Sequence, residues 1–243
     1  MLLKDKVAVI YGTGGIGRGI ARAFTREGAS LFLANRSRSK AEEFASDLGA
    51  AFEQLDATDA ASTAAYVDDV VRRAGRIDIS FNVIGIDEAQ TPLMDIEPED
   101  FLRPISKAMK SQFATTRAAA RHMIRQKSGV ILTFGGGGPQ TLAGLGGFKV
   151  ALDALESLRR QWAIELGSHG IRFITLKTGG ILESNAPEFP ERDEIRAGIE
   201  ASSPMHRVAT LDGLGTVAAF AASDGARSIT NTWINMGCGS MPE

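Results

Sequence analysis

Short apolar runs of strand length alternate along the chain with longer segments whose apolar residues recur every three or four positions. Residues 7–10 are continuously apolar, and Ile16, Ile20 and Phe24 follow, four apart on one helical face. The succession repeats, with strands expected at 30–34, 51–55, 77–84, 129–134, 171–176 and 232–236. The first helix is expected to stop near Glu27-Gly28. Ser39-Lys40-Ala41-Glu42 has the spacing of a capping box and opens a helix to about Leu48. Asp59 can cap a helix to about Arg73 that turns Tyr66, Val67, Val70 and Val71 inward. A polar loop over 87–98 leads to a long helix ending near Gln126, bent at Pro104. Further helices are expected at 148–166 and 211–222. The stretch between, with Pro187 and Pro190, reads as a lid over about 179–203. Strands alternating with helices imply right-handed crossovers and a doubly wound parallel sheet. The expected architecture is a single Rossmann-type α/β domain over residues 1–243.

The first strand-to-helix turn, Tyr11-Gly12-Thr13-Gly14-Gly15-Ile16-Gly17, changes this picture from fold to chemistry. Gly12, Gly14 and Gly17 fit G-x-G-x-x-G. One glycine allows a tight turn, one lets backbone approach a pyrophosphate, and one lets the helix pack close to the sheet. The helix N-terminus offers free N–H groups and a positive dipole end. Ligands of such sheets bind outside the carboxyl ends of the strands. That rule gathers Gly12, Arg36, Asp56, Asn82, Gly135 and Thr178 around one crevice.

Composition narrows the partners. The chain has 243 residues and a formal net charge of −2, which makes no electrostatic case for nucleic acid. A single cysteine, Cys238, excludes an internal disulfide framework and suits a reducing compartment. Charges interrupt the N-terminal apolar residues, so no signal peptide is expected, and no apolar run reaches membrane-spanning length. A soluble cytoplasmic protein with a small-molecule substrate, without membrane or nucleic-acid partners and without a metal, is expected.

Over essentially its whole length the chain resembles the short-chain dehydrogenase/reductase family. The resemblance is carried by 11–17, Leu55-Asp56, 81–85, 148–152, 165–172, 178–181 and 229–239. It implies a nicotinamide dinucleotide, hydride transfer to or from a carbonyl or alcohol, and a homodimer or homotetramer. The cofactor-binding residues it implies are Gly12, Thr13, Gly14, Gly15, Ile16 and Gly17; Asn35, Arg36 and Ser37; Asp56 and Ala57; Asn82, Val83 and Gly85; Lys149; and Thr178, Gly179 and Ile181. There are departures. The family's G-x-x-x-G-x-G is one residue shorter here, at Gly12, Gly15 and Gly17. Its N-N-A-G is Asn82-Val83-Ile84-Gly85. Its catalytic lysine falls on Lys149, which puts Leu145 at the tyrosine, Gly136 at the serine and Ala108 near the helix asparagine. No slip of alignment supplies a tyrosine, because the only two are Tyr11 and Tyr66. The cofactor half of the site is kept and the usual acid half is lost.

Individual residues admit more than one reading. Asn35 stands where an acid would bind the ribose 2′-OH of NAD, and Arg36 suits a 2′-phosphate, so NADP(H) is expected with NAD(H) as the alternative. Asp56 is either an adenine contact or a helix cap. Asn82 and Gly85 are either cofactor contacts or strand-end packing. Lys149 is expected to bind the nicotinamide ribose, with proton donation as its other reading. Lys110, Ser111, Thr141, Glu183 and Ser184 are further proton sources near the crevice, or ordinary surface. His122 and His169 read as surface residues at helix ends. The glycines at 135–138 form either an oxyanion nest or a flexible loop. The expected function is a short-chain NADP(H)-dependent oxidoreductase with a non-standard site. The alternatives are a dinucleotide-binding sensor or partner subunit without turnover, and a non-redox enzyme on the same fold.

Overall fold

The computed structural model describes residues 1–86, 90–135, 141, 143–184 and 192–239. Seven strands, β1 (Val7–Tyr11), β2 (Ser30–Asn35), β3 (Ala51–Gln54), β4 (Ile79–Asn82), β5 (Gly129–Phe134), β6 (Ile171–Lys177) and β7 (Thr232–Asn235), form one parallel sheet. Its order is β3-β2-β1-β4-β5-β6-β7. The helices are α1 (Gly15–Arg26), α2 (Ser39–Asp47), α3 (Ala60–Ala74), α4 (Pro98–Gln126), α5 (Gly146–Gly167), α6 (Arg192–Ser202) and α7 (Leu211–Ala222).

Alternation along the buried strands divides the core in two. Ala8, Ile10, Leu31, Leu33, Leu132 and Leu176 face Ile20 and Phe24 of α1, Phe44 of α2 and Leu214 and Ala218 of α7. Val7, Val9, Tyr11, Phe32, Ile131 and Phe173 face Tyr66, Val67 and Val70 of α3, Ala119 and Met123 of α4 and Leu166 of α5. Both faces are covered, so the strands read as continuous apolar runs, as parallel strands do. The order reverses between β1 and β4, where the chain returns to the middle of the sheet after β3.

Several expectations change on contact with the structure. β4 is shorter than 77–84, because the chain before it serves another purpose. Asp78 is buried, and its Oδ2 accepts a hydrogen bond from the Val7 amide at 2.9 Å. Arg76 donates to the same carboxylate through Nε and Nη2 at 2.6–3.0 Å. Asp78→Ala is expected to cost about 2–4 kcal/mol, because it orphans a buried N–H and the guanidinium together. A urea melt measures this, and an unchanged midpoint counts against it.

The expected capping box is not formed. The residue before α2 is Arg38, it is already helical, and no side chain caps it. Glu42 bonds Arg38 at 2.9 Å instead of reaching back. Asp59 does cap α3, accepting from Ala61 and Ser62. α6 lies within the stretch read as a lid; none of its residues is buried, so no apolar periodicity announced it. Pro187, Pro190 and most of the glycine run after β5 lie outside the described residues. His122 is buried rather than exposed. Arg125 donates to its Nδ1 at 2.7 Å, and its Nε2–H donates to Asp68 at 2.6 Å. That bond holds the Asp68 carboxyl below the usual carboxylate range, with Arg121 adding to it.

Candidate functional site

The carboxyl ends of β1, β2, β3 and β4 open into a crevice of about 680 Å³. Its floor is the glycine turn. Gly12 has φ of +100°, and its amide donates to the Ala34 carbonyl at 2.8 Å, which ties the turn to β2. A Cβ on Gly17 would lie 1.9 Å from the Gly12 carbonyl oxygen, so α1 starts against the turn itself. Gly14 is the residue before α1, and no side chain caps the helix there. The first N–H groups of α1 are therefore open to an anion. Gly14 has nothing within 4 Å of its would-be Cβ, which leaves free space over those groups. This cradle fits a diphosphate.

The walls come from three further segments. Asn35 and Arg36 follow β2, and Asp56, Ala57 and Thr58 follow β3. Val83, Ile84, Gly85 and Ile86 follow β4. Asn35 turns back to donate to the Ser37 carbonyl, and Gln54 donates to the Arg36 carbonyl. Both bonds fix the backbone and leave the Arg36 side chain exposed. Asp56 does not cap α3, since Asp59 has that place. Its Oδ1 accepts from the Thr58 hydroxyl at 2.7 Å and amide at 3.0 Å. Those bonds hold its carboxyl below the ordinary range, with Arg36 adding a smaller effect in the same direction.

The structure thus brings Gly12, Thr13, Gly14, Gly15, Ile16, Gly17, Asn35, Arg36, Asp56, Ala57, Val83 and Gly85 to one crevice. Six other expected residues stand outside its walls. Asn82 is buried; it donates to Thr115 at 3.1 Å and accepts from the Ile84 amide at 3.0 Å, which is strand-end bonding. Ile181 is packed into the core. Ser37 is exposed beyond β2 and Gly179 beyond β6. The Thr178 hydroxyl accepts from the Gly180 amide at 3.3 Å. Lys149 lies on the first turn of α5 and donates to Asp153 through Nζ at 2.7 and 2.8 Å.

The sequence reading named Lys110 and Ser184 near the crevice as proton sources but missed the α4 wall to which Lys110 belongs. α4 contributes Arg103, Ser106, Lys107 and Lys110, and the 3₁₀ turn Leu182–Ser184 contributes Ser184. The signal for α4 was present as i, i+3, i+4, i+7 spacing, but it describes a polar face and so reads as surface. Ser184 rests against the glycine turn, with its carbonyl oxygen 2.5 Å from where a Cβ on Gly15 would be.

Other residues with acid–base chemistry are accounted for elsewhere. Tyr11 and Tyr66 are buried edge to face at 6.2 Å between ring centroids, and burial pushes both phenols above their ordinary pKa. Tyr11 also borders the crevice, at the end of β1. Ala108 and Ser111 are buried on α4, and Ser111 donates to the Ala108 carbonyl. Glu183 accepts from the Leu211 amide at 2.8 Å. Leu145 is the residue before α5, and its carbonyl accepts from the Lys149 amide at 2.7 Å. Gly136 lies outside the described residues.

A parallel sheet with a glycine crevice at its order reversal is the arrangement in which α/β proteins bind dinucleotides. The chain belongs to the short-chain dehydrogenase/reductase family: a family model described as enoyl-(acyl carrier protein) reductase matches residues 11–240. It is 29% identical to levodione reductase of Leifsonia aquatica, over 94% of this chain and 91% of that one. It is 28% identical to the 3-oxoacyl-[acyl-carrier-protein] reductase FabG of Salmonella typhimurium, over 98% of each. Among solved structures, levodione reductase superposes with a TM-score of 0.87 at 26% identity, covering 98% of each chain. An NAD⁺-bound xylitol dehydrogenase shares the fold, with a TM-score of 0.87 at 23% identity over 98% of this chain and 100% of that one. Among the described residues no helix is long and apolar enough to cross a membrane.

Proposed function

We propose that this chain is an NADP(H)-dependent oxidoreductase that transfers a hydride between the cofactor and a small carbonyl or alcohol substrate, with an acid–base set unlike the family's. The observation that carries this reading is the crevice over β1. It joins an uncapped helix start for a diphosphate to an exposed Arg36 where the adenosine ribose belongs. A bound nicotinamide would supply the hydride, the chain's own residues would bind and orient it, and the proton that the alkoxide takes up would come from Lys149 in its other reading. The glycine turn takes the diphosphate on its N–H groups. Arg36 meets the ribose 2′-phosphate, while Asp56 and Ala57 flank the adenine. Lys149, now paired with Asp153, would hold the nicotinamide ribose. Leucine at 145 and glycine at 136 offer no proton and no polarising hydroxyl.

Arg36→Ala is expected to weaken NADPH by about 1.5–3 kcal/mol, the worth of hydrogen bonds to a charged group, and to leave NADH unchanged. Fluorescence titration of both cofactors measures it. Equal affinities in the parent protein would show that Arg36 does not select. A second reading, a dinucleotide-binding protein without turnover, is favoured by Leu145 at the acid position. NADPH oxidation over a panel of small ketones, diketones and enoyl compounds separates the two.

The same reading includes a homo-oligomer built on α4 and α5. Of the small residues Ala118, Ala119, Ala151 and Ala154, which would permit close approach of these helices, the first three are buried within the protomer and Ala154 is half-buried. Phe113 of α4 and Val150 and Ile164 of α5 are large, apolar and exposed, and Phe113 stacks on Trp162 at 5.6 Å. Light scattering at micromolar concentration is expected to give a dimer or tetramer mass, lowered by Phe113→Glu with Ile164→Glu. A parent monomer overturns this.

A further inference from the structure

Among the described residues, four cationic side chains, Arg36, Arg103, Lys107 and Lys110, line the crevice against one carboxylate, Asp56, in a chain whose formal net charge is −2. Three of the four come from α4, where Arg103, Ser106, Lys107 and Lys110 are spaced i, i+3, i+4, i+7 and so share one face. The opposite side of this helix is committed to the core through Ala108, Ser111, Gln112 and Thr115. The row is therefore held in place by packing and has no other way to turn. Arg103 and Lys110 are exposed; Arg103 bonds Asp100 one turn back, at 2.5 Å, and Asp100 is not part of the crevice.

The strand order fixes where the row stands. β2, which leads into Arg36, is on one side of β1; β4, which leads into α4, is on the other. The glycine turn lies between them, at the end of β1 itself. Its backbone N–H groups already match a diphosphate, so the cations on both flanks exceed what a diphosphate alone requires. Charge held this way on a crevice wall raises the affinity for the more anionic of two otherwise similar ligands.

We propose that the Arg103–Ser106–Lys107–Lys110 row of α4 is a second phosphate-reading wall, which acts across the crevice from Arg36 and selects an adenosine whose ribose carries its own phosphate. This rests on the proposed reading of the crevice as a nucleotide site. The chemistry selected is a ribose-phosphorylated adenosine 5′-phosphate. The 2′-phosphate comes from NADP(H), and a 3′-phosphate would come from a coenzyme A moiety. Arg36 supplies the directional contact. The α4 row supplies field and further donors, and the Ser106 hydroxyl is the one uncharged donor in it.

The test is calorimetric binding of 2′,5′-ADP, 3′,5′-ADP and 5′-AMP to the full chain, without turnover. Arg103→Gln with Lys110→Gln removes two charges from an exposed face, and circular dichroism checks that it folds as the parent does. Lys107 is left unchanged. The parent is expected to prefer 2′,5′-ADP to 5′-AMP, and the double variant to lose about tenfold of that preference, the scale of one charge-assisted hydrogen bond. Binding of 5′-AMP should change less than about twofold, and Lys110→Arg alone should keep the preference. An unchanged preference overturns the proposal, as does a parallel loss of both ligands, because the row then acts on the 5′-phosphate. A parent preference for 3′,5′-ADP over 2′,5′-ADP overturns the assignment to NADP(H). Arg36→Ala separates this from the function proposed above. If it abolishes the preference and the α4 variant does not, that function stands and this inference falls. If the α4 variant abolishes it and Arg36→Ala does not, the α4 row reads the ribose phosphate and the selecting role given to Arg36 falls.

Discussion

Gly17→Ala is expected to remove both the fold's stability and its nucleotide binding. The added Cβ would lie 1.9 Å from the Gly12 carbonyl oxygen, a backbone atom. That oxygen cannot yield easily. Gly12 is held to Ala34 through its amide, and its positive φ places the carbonyl where only glycine is at ease. Overpacking usually costs about 1–3 kcal/mol and more where backbone must move. Against a total of about 5–15 kcal/mol, a loss of roughly 4 kcal/mol or more leaves a marginal protein. Gly14→Ala is the contrast. Nothing lies within 4 Å of its Cβ, and its φ of −69° suits any residue. Stability should hold within about 1 kcal/mol, while the methyl stands over the helix start and weakens NADPH. Urea melts with NADPH titration separate the two effects. A Gly17→Ala protein as stable as the parent would show that the turn can open.

Leu145→Tyr is expected to raise carbonyl reduction by about 10²–10⁴, the usual worth of a placed general acid. Residues 145 and 149 are one helical turn apart, and the Lys149 amide bonds the Leu145 carbonyl. A phenol at 145 therefore starts on the same face as the lysine, whose charge lowers a neighbouring phenol's pKa. Lys149→Met in that background should cancel the gain. In the parent, Lys149→Met should weaken NADPH by about 1.5–3 kcal/mol and touch turnover only modestly, as for a ribose ligand. If Leu145→Tyr binds NADPH normally and gains no rate, the missing tyrosine is not what limits this site.

How much could be read from the chain alone follows from what each element is made of. β5 and α7 were legible to the residue, since a continuous apolar run between polar ends has one register. β4 was drawn too long because Ile77 is apolar and buried, and nothing in the letters says that Asp78 spends its carboxylate on the Val7 amide. The S-x-x-E box over Ser39–Glu42 failed because Arg38 competes for Glu42, a pairing set by side-chain reach rather than by spacing. The floor and the three walls after β2, β3 and β4 were visible because glycines and strand ends mark themselves. Of the α4 wall only Lys110 was named, because basic residues at helical spacing look alike whether they face water or a ligand. His122 was misplaced for a related reason: its burial depends on Asp68, over fifty residues earlier.

The strand order also sets a timetable for synthesis. The glycine turn, both its flanks and the α4 wall all lie within the first 110 residues, and of the described lining residues only Ser184 arrives later. Their sheet, β3-β2-β1-β4, can pair fully before β5 exists. β4 then waits with an open edge until β5 is made, β5 waits for β6, and β6 for β7. A domain of this kind folds from its N-terminal part as the chain emerges. The crevice over β1 is thus the early half of the molecule, and NADPH present during translation would meet its diphosphate and adenosine cradle on a nascent chain that still lacks Lys149 and the strands at one edge.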